Sequence, residues 1–427
     1  METNQGLYAI FEQSTGVYTD SRTPRKGGLF FALSGPHFDG NQFALAALEQ
    51  GASAAVVSDP QLKEHPQCFY VPDVLKALQD LAREHRKKFS GPVIALTGSN
   101  GKTTTKELML AVLSQDHTAY ATQGNLNNHI GVPLSLLSMP LDAHYYIIEM
   151  GANHRGEIAQ LCTIAHPDIG YITNFGSAHL EGFGSLEGVV KGKSELYQYL
   201  IENNKKIIGN ADDPKQMELL KDHAPFTFGT QPSSTLHLKY VDKEGVLEVH
   251  WKGHEAKSNL YGAYNLTNMG AAIALGVYFN HPAGQIAQGI ESYIPKNNRS
   301  QVVNTSKNTL VLDAYNANPT SMQAALTAFD QAYTTDKMVF LGDMLELGEY
   351  SMQEHQNIVT QLASLNLDQI ILIGKAFALT KNPPAHTLFF TQTADCISWL
   401  EKKDITGKNV LLKGSRGMAL EKLQAYF

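Results

Sequence analysis

The segment from Val93 to Leu113 constrains the fold of this chain more than any other part of the sequence. An apolar run leads into the string Thr97-Gly98-Ser99-Asn100-Gly101-Lys102-Thr103-Thr104-Thr105, and a helix-compatible stretch follows from Lys106. Strand, glycine-rich turn and helix in this order are typical of a phosphate-binding loop, in which backbone N–H groups and the helix N-terminus surround phosphate oxygens. The segment therefore predicts an α/β domain that binds a nucleoside triphosphate.

Two side chains of this loop carry the expected chemistry. Lys102 is placed to reach the terminal phosphates, and the hydroxyl of Thr103 is placed to ligate Mg²⁺. The strict pattern has a glycine where this chain has Leu96, so the alternative is an ordinary glycine-rich turn before a helix. We predict that the nucleotide is held by Gly98, Ser99, Asn100, Gly101, Lys102, Thr103 and Thr104.

Length and charge limit the class of protein. A chain of 427 residues is too long for one core, so several domains are expected. The formal net charge is −7 without a long basic run, which argues against a nucleic-acid partner. The three cysteines are widely separated, which fits a reducing cytosol, and no apolar stretch reaches membrane-spanning length. We expect a cytoplasmic monomer with no membrane insertion.

Hydrophobic runs alternate with helical patterns along the whole chain, which predicts an α/β fold with three domains. A small N-terminal α/β domain would span residues 1–88. A central domain with the phosphate loop and a mostly parallel sheet would span 89–295, with an antiparallel hairpin appended near 236–251. A Rossmann-like C-terminal domain would span 296–427.

Two polar residues follow strands expected in the central sheet. Glu149 ends the run Tyr145 to Ile148, and His179 lies just past the run Ile169 to Thr173. The carboxyl ends of parallel strands face the same crevice as the phosphate loop, so either side chain is placed to bind a metal ion. The alternatives are a capping or ion-paired glutamate and a structural histidine.

Other polar residues leave their roles open. Lys191 and Lys193 lie on one helical pattern and look like a solvated face by charge alone. Asn265 and Asn268 open an alanine-rich helix, where an asparagine suits either a helix cap or an adenine edge.

The C-terminal segment has its own strand-end residues. Asp313 follows a strand and could accept ribose hydroxyls, and Arg299 lies near the domain junction, where it could meet phosphate. The string Lys413-Gly414-Ser415-Arg416-Gly417 follows another strand and could bind a carboxylate. Turns and helix caps are the alternative for each.

Taken together, these residues resemble the Mur ligase family over essentially the whole chain, and within it the members that add a dipeptide. Any one string is weak, but seven in this order are specific. The strings are Thr97-Gly98-Ser99-Asn100-Gly101-Lys102-Thr103, Gly124-Asn125-Leu126-Asn127-Asn128-His129-Ile130-Gly131-Val132-Pro133, Glu149-Met150-Gly151-Ala152-Asn153-His154, His179-Leu180-Glu181-Gly182-Phe183-Gly184-Ser185, Asp313-Ala314-Tyr315-Asn316-Ala317-Asn318-Pro319, Gly342-Asp343-Met344-Leu345-Glu346-Leu347-Gly348 and Lys413-Gly414-Ser415-Arg416.

The resemblance implies an ATP-dependent amide ligase with Mg²⁺ as cofactor. Its substrates would be UDP-N-acetylmuramoyl-tripeptide, bound through the N-terminal domain, and D-alanyl-D-alanine, brought by the C-terminal domain. It implies that Lys193 is carbamylated, which turns a cation into an oxygen ligand. Lys102, Lys193 and His179 would then be catalytic. Thr103 and Glu149 would hold one Mg²⁺, and His179 and Lys193 a second.

The remaining implied roles concern the substrates. Asn268 would contact adenine, Arg299 phosphate and Asp313 ribose. Substrate contacts would come from Ser21, Arg22, Asn127, Asn128, Lys413, Ser415 and Arg416.

Ligation would proceed through an acyl phosphate that the dipeptide amine attacks. A regulatory NTPase or a nucleotide-binding interaction module is the alternative from another class, although neither needs two flanking α/β domains. Other Mur ligases and folylpolyglutamate synthetase are the closest alternatives among enzymes, and the strings at 313–319 and 342–348 favour the dipeptide-adding members.

Overall fold

Three α/β segments, each with its own largely parallel sheet, follow one another in the computed structural model of the chain. The structure describes residues 2–243, 245–296 and 298–427, and for residues 2–5 only the backbone. Glu244, within the predicted hairpin turn, lies outside the described residues. The arrangement confirms the predicted α/β class with several domains around a central parallel sheet.

The first segment has a four-stranded parallel sheet of order β1-β2-β5-β6 and a short antiparallel ribbon of β3 and β4. Its elements are α1 (Glu2–Gln13), β1 (Val17–Tyr18), β2 (Leu29–Phe31), β3 (Ser34–Gly35), β4 (Phe38–Asp39), α2 (Ala44–Glu49), β5 (Ala54–Val57), β6 (Cys68–Tyr70) and α3 (Val74–Arg86).

The second segment has a seven-stranded sheet of order β13-β12-β11-β10-β7-β9-β8, in which every neighbouring pair is parallel. Its elements are β7 (Val93–Thr97), α4 (Lys102–Leu113), β8 (Ala119–Ala121), α5 (Gly131–Leu137), β9 (Tyr145–Glu149), α6 (Glu157–Ala165), β10 (Ile169–Ile172), α7 (Leu180–Phe183), α8 (Leu186–Glu202), β11 (Lys206–Asn210), α9 (Pro214–Leu220), β12 (Phe226–Gly229), β13 (Leu236–His237), β14 (Lys239–Lys243), β15 (Val246–Trp251), β16 (His254–Ser258), α10 (Asn265–Tyr278) and α11 (Ala283–Ser292).

Strand β7 lies in the interior of this sheet, between β10 and β9, and all five of its residues are buried. A continuous apolar run is what a parallel strand covered on both faces requires, because helices pack on each side. Its neighbours are β9 and β10, so the polar residues that follow these three strands meet at one edge. The predicted hairpin is part of a three-stranded antiparallel sheet, β14-β15-β16, whose third strand the sequence analysis missed.

The third segment has a six-stranded sheet of order β17-β18-β22-β19-β20-β21, parallel except for the antiparallel edge strand β17. In it, Asp313 and Lys413 are direct partners in the register of β18 with β22. Its elements are β17 (Gln301–Asn304), β18 (Thr309–Asp313), α12 (Pro319–Ala332), β19 (Lys337–Gly342), α13 (Ser351–Leu362), β20 (Gln369–Ile373), β21 (Thr387–Phe390), α14 (Thr393–Leu400) and β22 (Asn409–Lys413).

Helix α3 joins the first segment to the second. Asp73 caps its N-terminus, and its buried face packs against α5 and α6. Near its C-terminus, a ring nitrogen of His85 lies 2.9 Å from the carbonyl of Met139, and Arg86 forms an ion pair of 2.6 Å with Asp168. The first segment is therefore fixed to the central sheet through one helix rather than through a mobile linker.

Among the described residues, no helix is both long enough and apolar enough to cross a membrane.

Candidate active site

A cavity of about 610 Å³ lies at the carboxyl edge of the central sheet, between the second and third segments. Its lining combines most of the site residues predicted from the sequence, although these residues belong to two different segments of the chain. The predicted site residues that line it are Ser99, Asn100, Gly101, Lys102, Thr103, Thr104, Asn127, Asn128, Glu149, His179, Asn268, Arg299, Asp313, Lys413, Ser415 and Arg416.

The glycines of the phosphate loop are required by backbone conformation and by close neighbours. Gly98 has φ of +140° and Gly101 has φ of +78°, both in the region that favours glycine. A Cβ atom on Gly98 would lie 2.0 Å from Oγ1 of Thr173, and one on Gly101 would lie 2.6 Å from Oδ1 of Asn268. Any larger residue would therefore displace the walls that shape the loop.

Hydrogen bonds from the segment after β10 hold the loop in place. The backbone N–H of Asn100 donates to Oδ1 of Asn174 at 3.1 Å, and the hydroxyl of Thr173 donates to the Asn100 carbonyl at 2.6 Å. The Ser99 hydroxyl donates to the carbonyl of Gly176 at 2.8 Å. The loop is thus fully formed by contacts within the protein.

Lys102 begins helix α4 and folds back over the loop. Its ammonium donates to the carbonyls of Gly98 at 2.7 Å and Ser99 at 3.2 Å. Burial lowers the pKa of Lys102, and Arg299 lowers it further, while the Glu149 carboxylate opposes the shift. A partly desolvated cation at this position is prepared to interact with phosphate oxygens.

Thr103 and Glu149 lie together in the cavity wall. The Thr103 hydroxyl donates to Oε2 of Glu149 at 2.9 Å, and the Asn127 amide donates to Oε1 at 2.8 Å. Glu149 is only 2% exposed, yet both of its contacts are with neutral groups. A buried carboxylate beside a hydroxyl is the hard oxygen donor set that Mg²⁺ prefers, so these residues fit that ion.

Lys193 is buried in helix α8, directly behind the cavity wall. Its ammonium donates to the carbonyl of Ala152, a lining residue, at 2.9 Å, and lies 5.1 Å from the centre of the Phe183 ring. Burial lowers the pKa of Lys193 well below its usual value. Neutral amines react with carbon dioxide, so this environment suits the predicted carbamylation. Lys191, in contrast, is exposed and pairs with Glu187.

His179 lies just before helix α7 and contacts the third segment. Its Nδ1 forms an ion-pair contact with Glu346, and both residues have a positive φ, at 54° and 62° respectively. This contact lowers the pKa of Glu346. A carboxylate on one ring nitrogen orients a histidine and leaves Nε2 free to bind an ion.

Asn268, the predicted adenine contact, is hydrogen-bonded inside the protein. Its Oδ1 accepts from the hydroxyl of Thr105 at 3.0 Å, and its amide donates to Oδ1 of Asn265 at 2.8 Å. Asn265 in turn donates to the carbonyl of Tyr261 at 2.7 Å. Neither asparagine caps the helix by a side-chain bond. Asn268 ties helix α10 to Thr105 of α4, and Asn265 holds Asn268 in place.

Two arginines of the third segment share one aromatic ring. The guanidinium of Arg299 lies 3.6 Å from the centre of the Tyr315 ring, and that of Arg416 lies 5.6 Å from it. Such cation–π contacts orient a guanidinium while leaving its N–H groups available. Tyr315 therefore holds two positive charges in the lining of the cavity that also contains the phosphate loop.

Asp313 and Lys413, predicted to contact ribose and a carboxylate, form an ion pair with each other across strands β18 and β22. Ser415 is 2% exposed, and its hydroxyl accepts from the N–H of Leu345 at 2.9 Å. Oδ1 of Asn128 accepts from the N–H of Gly131, the first residue of helix α5, at 2.8 Å. These contacts fix the positions of polar side chains that line the cavity.

Ser21 and Arg22 lie apart from this cavity, on the first segment. Arg22 is exposed and forms a two-point contact with Asp20, which holds the pKa of that carboxyl near 2.

Sequence reasoning assigned no role to three residues that organise the site: Asn318, Tyr315 and Glu346. All three lie within strings that carried the family resemblance. The available signal was a polar or aromatic residue within a few positions of a buried strand. The contacts of Asn318 and Glu346 cross between segments, and those of Tyr315 join residues that are far apart in sequence, so local spacing does not reveal them.

Family comparisons cover most of the chain. The Mur ligase middle domain matches residues 96–276, the Mur ligase glutamate ligase domain matches 298–416, and the Mur ligase family catalytic domain matches 13–86. The chain belongs to the Mur ligase family.

Two similar proteins share one name. The chain is 35% identical to UDP-N-acetylmuramoyl-tripeptide–D-alanyl-D-alanine ligase of Bacillus subtilis, covering 97% of this chain and 93% of that protein. It is 33% identical to the ligase of the same name from Escherichia coli, covering 95% and 92%.

Solved structures show the same fold. A crystal structure of MurF from Acinetobacter baumannii aligns with a TM-score of 0.88 and 30% identity, covering 99% of this chain and 97% of that one. MurF ligase from Thermotoga maritima, solved in complex with ADP, aligns with a TM-score of 0.86 and 28% identity, covering 98% and 97%.

Proposed function

We propose that this chain is an ATP-dependent ligase that joins D-alanyl-D-alanine to UDP-N-acetylmuramoyl-tripeptide, a cytoplasmic step in the synthesis of peptidoglycan precursors. The observation that carries the proposal is the shared cavity, in which the phosphate loop faces the cationic edge of the third segment. Similarity over nearly the full length to relatives with this activity supports the choice of substrates.

The reaction needs an activated carboxyl group, because a carboxylate does not react with an amine at neutral pH. We propose that a carboxylate oxygen of the tripeptide attacks the γ-phosphorus of ATP and ADP leaves, giving an acyl phosphate. The amine of D-alanyl-D-alanine then attacks the acyl carbon, loses a proton, and inorganic phosphate leaves as the amide forms. Both steps concentrate negative charge on oxygens, which positioned cations stabilise.

The phosphate loop supplies the first of these cations. We propose that backbone N–H groups of residues 98–103 and the ammonium of Lys102 bind the phosphates of ATP. Arg299 and Arg416, oriented by Tyr315, would meet charge on the opposite side of the cavity. Asn268 and Asp313 remain our proposed contacts for adenine and ribose.

Metal binding is proposed at two places. Thr103 and Glu149 would hold one Mg²⁺, and His179 with a carbamylated Lys193 a second. When bound, these ions would neutralise phosphate charge and lower the barrier to phosphoryl transfer. The protein's own contribution is to aim Glu149 through Thr103 and Asn127, and His179 through Glu346.

We propose that each segment binds a different substrate. Residues 1–88 would bind the UDP portion through Ser21 and Arg22, residues 89–295 would bind ATP, and residues 296–427 would bring the dipeptide. Asn127 and Asn128 would meet the peptide of the sugar nucleotide, and Lys413, Ser415 and Arg416 the carboxylate of the dipeptide. We propose that the protein acts as a monomer.

The deciding experiment measures ADP and phosphate release with purified protein, ATP and Mg²⁺. Release should require both UDP-N-acetylmuramoyl-tripeptide and D-alanyl-D-alanine, and mass spectrometry should find the pentapeptide product. Omitting either substrate is the control. Steady ATP hydrolysis without the substrates would indicate an NTPase of another class, and ligation of a different amine would assign another substrate.

A further inference from the structure

Three metal-ligating side chains meet at the amino-terminal edge of the central sheet, at the end of the strands opposite to the cavity. Asp116 and His117 lie in the turn between α4 and β8, and His281 lies in the turn between α10 and α11. Oδ1 of Asp116 is 2.6 Å from Nδ1 of His117 and 3.1 Å from Nδ1 of His281. The ligand atoms of all three residues lie within 4.8 Å of one another.

The state of His281 indicates that this group is more than a surface ion pair. Its side chain is 1% exposed, and its Nδ1 makes no well-directed hydrogen bond among the described residues, although Oδ1 of Asp116 lies 3.1 Å away. A buried ring nitrogen that faces a carboxylate oxygen without a well-directed hydrogen bond is costly, and an ion bound between the two atoms would satisfy both.

The other ring nitrogen of His281 has a contact that fixes the ring. Nε2 lies 3.2 Å from the hydroxyl of Tyr145, the first residue of β9. Metal-binding histidines commonly have their second nitrogen held in this way, which aims the first one.

We propose that Asp116, His117 and His281 form a binding site for a Zn²⁺-class transition-metal ion, with solvent as the fourth ligand. Two imidazoles and one carboxylate are a donor set typical of such ions, whereas Mg²⁺ favours sets in which most ligands are oxygens. Tetrahedral ligands of Zn²⁺ lie about 3.3 Å apart for bonds of about 2.0 Å. The two exposed members need to open only slightly, since their side chains are 30% and 34% exposed.

The site is remote from the proposed chemistry. Helix α4 has 12 residues, so the site lies about 18 Å from the phosphate loop at its other end. A bound ion would tie the turn after α4 to the turn between α10 and α11. We therefore assign it a stabilising role, and the inference does not depend on the proposed ligase activity.

Equilibrium dialysis tests the site. The full-length protein is stripped with a chelator and dialysed without nucleotide against Zn²⁺, with excess Mg²⁺ present to occupy oxygen-only sites. We expect one tightly bound Zn²⁺ per chain, with Co²⁺ giving a visible absorption band in its place. The double variant Asp116→Asn/His117→Gln, at exposed positions, should bind Zn²⁺ at least about tenfold more weakly and lose the Co²⁺ band.

Two further variants make the result specific. His281→Gln should weaken binding in the same way, and circular dichroism checks that this buried change leaves the fold intact. His250→Gln removes a histidine from the acidic group of Glu248 and Glu255 on the three-stranded sheet and should bind Zn²⁺ as the wild type does. Absence of saturable Zn²⁺ binding, or equal affinity in wild type and double variant, would overturn the proposal.

Discussion

The amide of Asn318 donates a hydrogen bond of 2.7 Å to Oδ1 of Asn100, which joins the first turn of helix α12 to the phosphate loop. The two residues are 218 positions apart in sequence. Asn318 also caps α12, because its Oδ1 accepts from the N–H of Ser321 at 2.9 Å. One side chain therefore both starts a helix of the third segment and positions that segment against the nucleotide loop.

Replacing Asn318 by serine should separate these two roles. Serine keeps a capping oxygen but is too short to reach Asn100. Loss of one hydrogen bond worth about 0.5–1.5 kcal/mol should lower the turnover of the ligase about 2- to 12-fold with little change in thermal stability. The control is Ser321→Ala, which removes the two hydrogen bonds between the Ser321 hydroxyl and the backbone of Asn318 and keeps the contact with Asn100. Equal turnover in the two variants would mean that the contact with Asn100 has no part in catalysis.

Lys102→Ala should abolish ligation and leave the fold intact. Its ammonium donates to a carbonyl of the loop. Removing a positioned charge of this kind typically raises the activation free energy by about 3 kcal/mol, which lowers turnover at least about a hundredfold. Lys191→Ala is the control, since that lysine is exposed and pairs only with Glu187. The measurements are product formation and the midpoint of thermal unfolding, and near-normal turnover of Lys102→Ala would refute the assigned role.

Lys193→Ala should lose most activity and regain part of it when a small carboxylate is added. The added anion would enter the space left by the buried side chain and supply the oxygens that a carbamate supplies. Carbon-13 NMR of wild-type protein in labelled bicarbonate should show a carbamate signal that the variant lacks. Full activity of the variant without additive would show that Lys193 is only a packing residue.

The stability of the protein should fall as the pH drops below about 6.5, the ordinary pKa of histidine. Burial lowers the pKa of His85, which also contacts the hydroxyl of Tyr8 at 3.0 Å. Below pH 6.5 the unfolded chain gains a proton on this residue while the folded chain does not, so the free energy of unfolding decreases. His85→Gln should show a shallower decrease between pH 7 and pH 5 in thermal unfolding. His223→Gln, at an exposed position, should retain the wild-type slope, and identical slopes in all three proteins would contradict the assignment.

The elements that the sequence predicts well are those with strong local signals. Strands such as Tyr145–Glu149 and Ile169–Ile172 are short apolar runs bounded by polar residues, and the phosphate loop has a characteristic order of glycine and lysine. Strand β17 was missed because its burial alternates between half-buried and exposed residues at a sheet edge. Helix α1 was missed as well.

The parts of the site that escaped prediction are contacts between distant segments. Asp313 and Lys413 were each assigned to a substrate, but the register of β18 with β22 places them opposite each other. The two residues are 100 positions apart in sequence. Their register is set by the packing of the whole third sheet, so local spacing does not encode it. The same reasoning applies to His179 with Glu346, since each was visible in the sequence but their meeting was not.

The crowded surroundings of Gly98 and Gly101 have a thermodynamic consequence. Because neighbouring side chains already fix the path of the backbone here, a nucleotide bound as we propose would not have to order this loop. The conformational entropy of the loop backbone is lost when the chain folds. Binding of the triphosphate therefore does not carry that cost, and its affinity is not reduced by it.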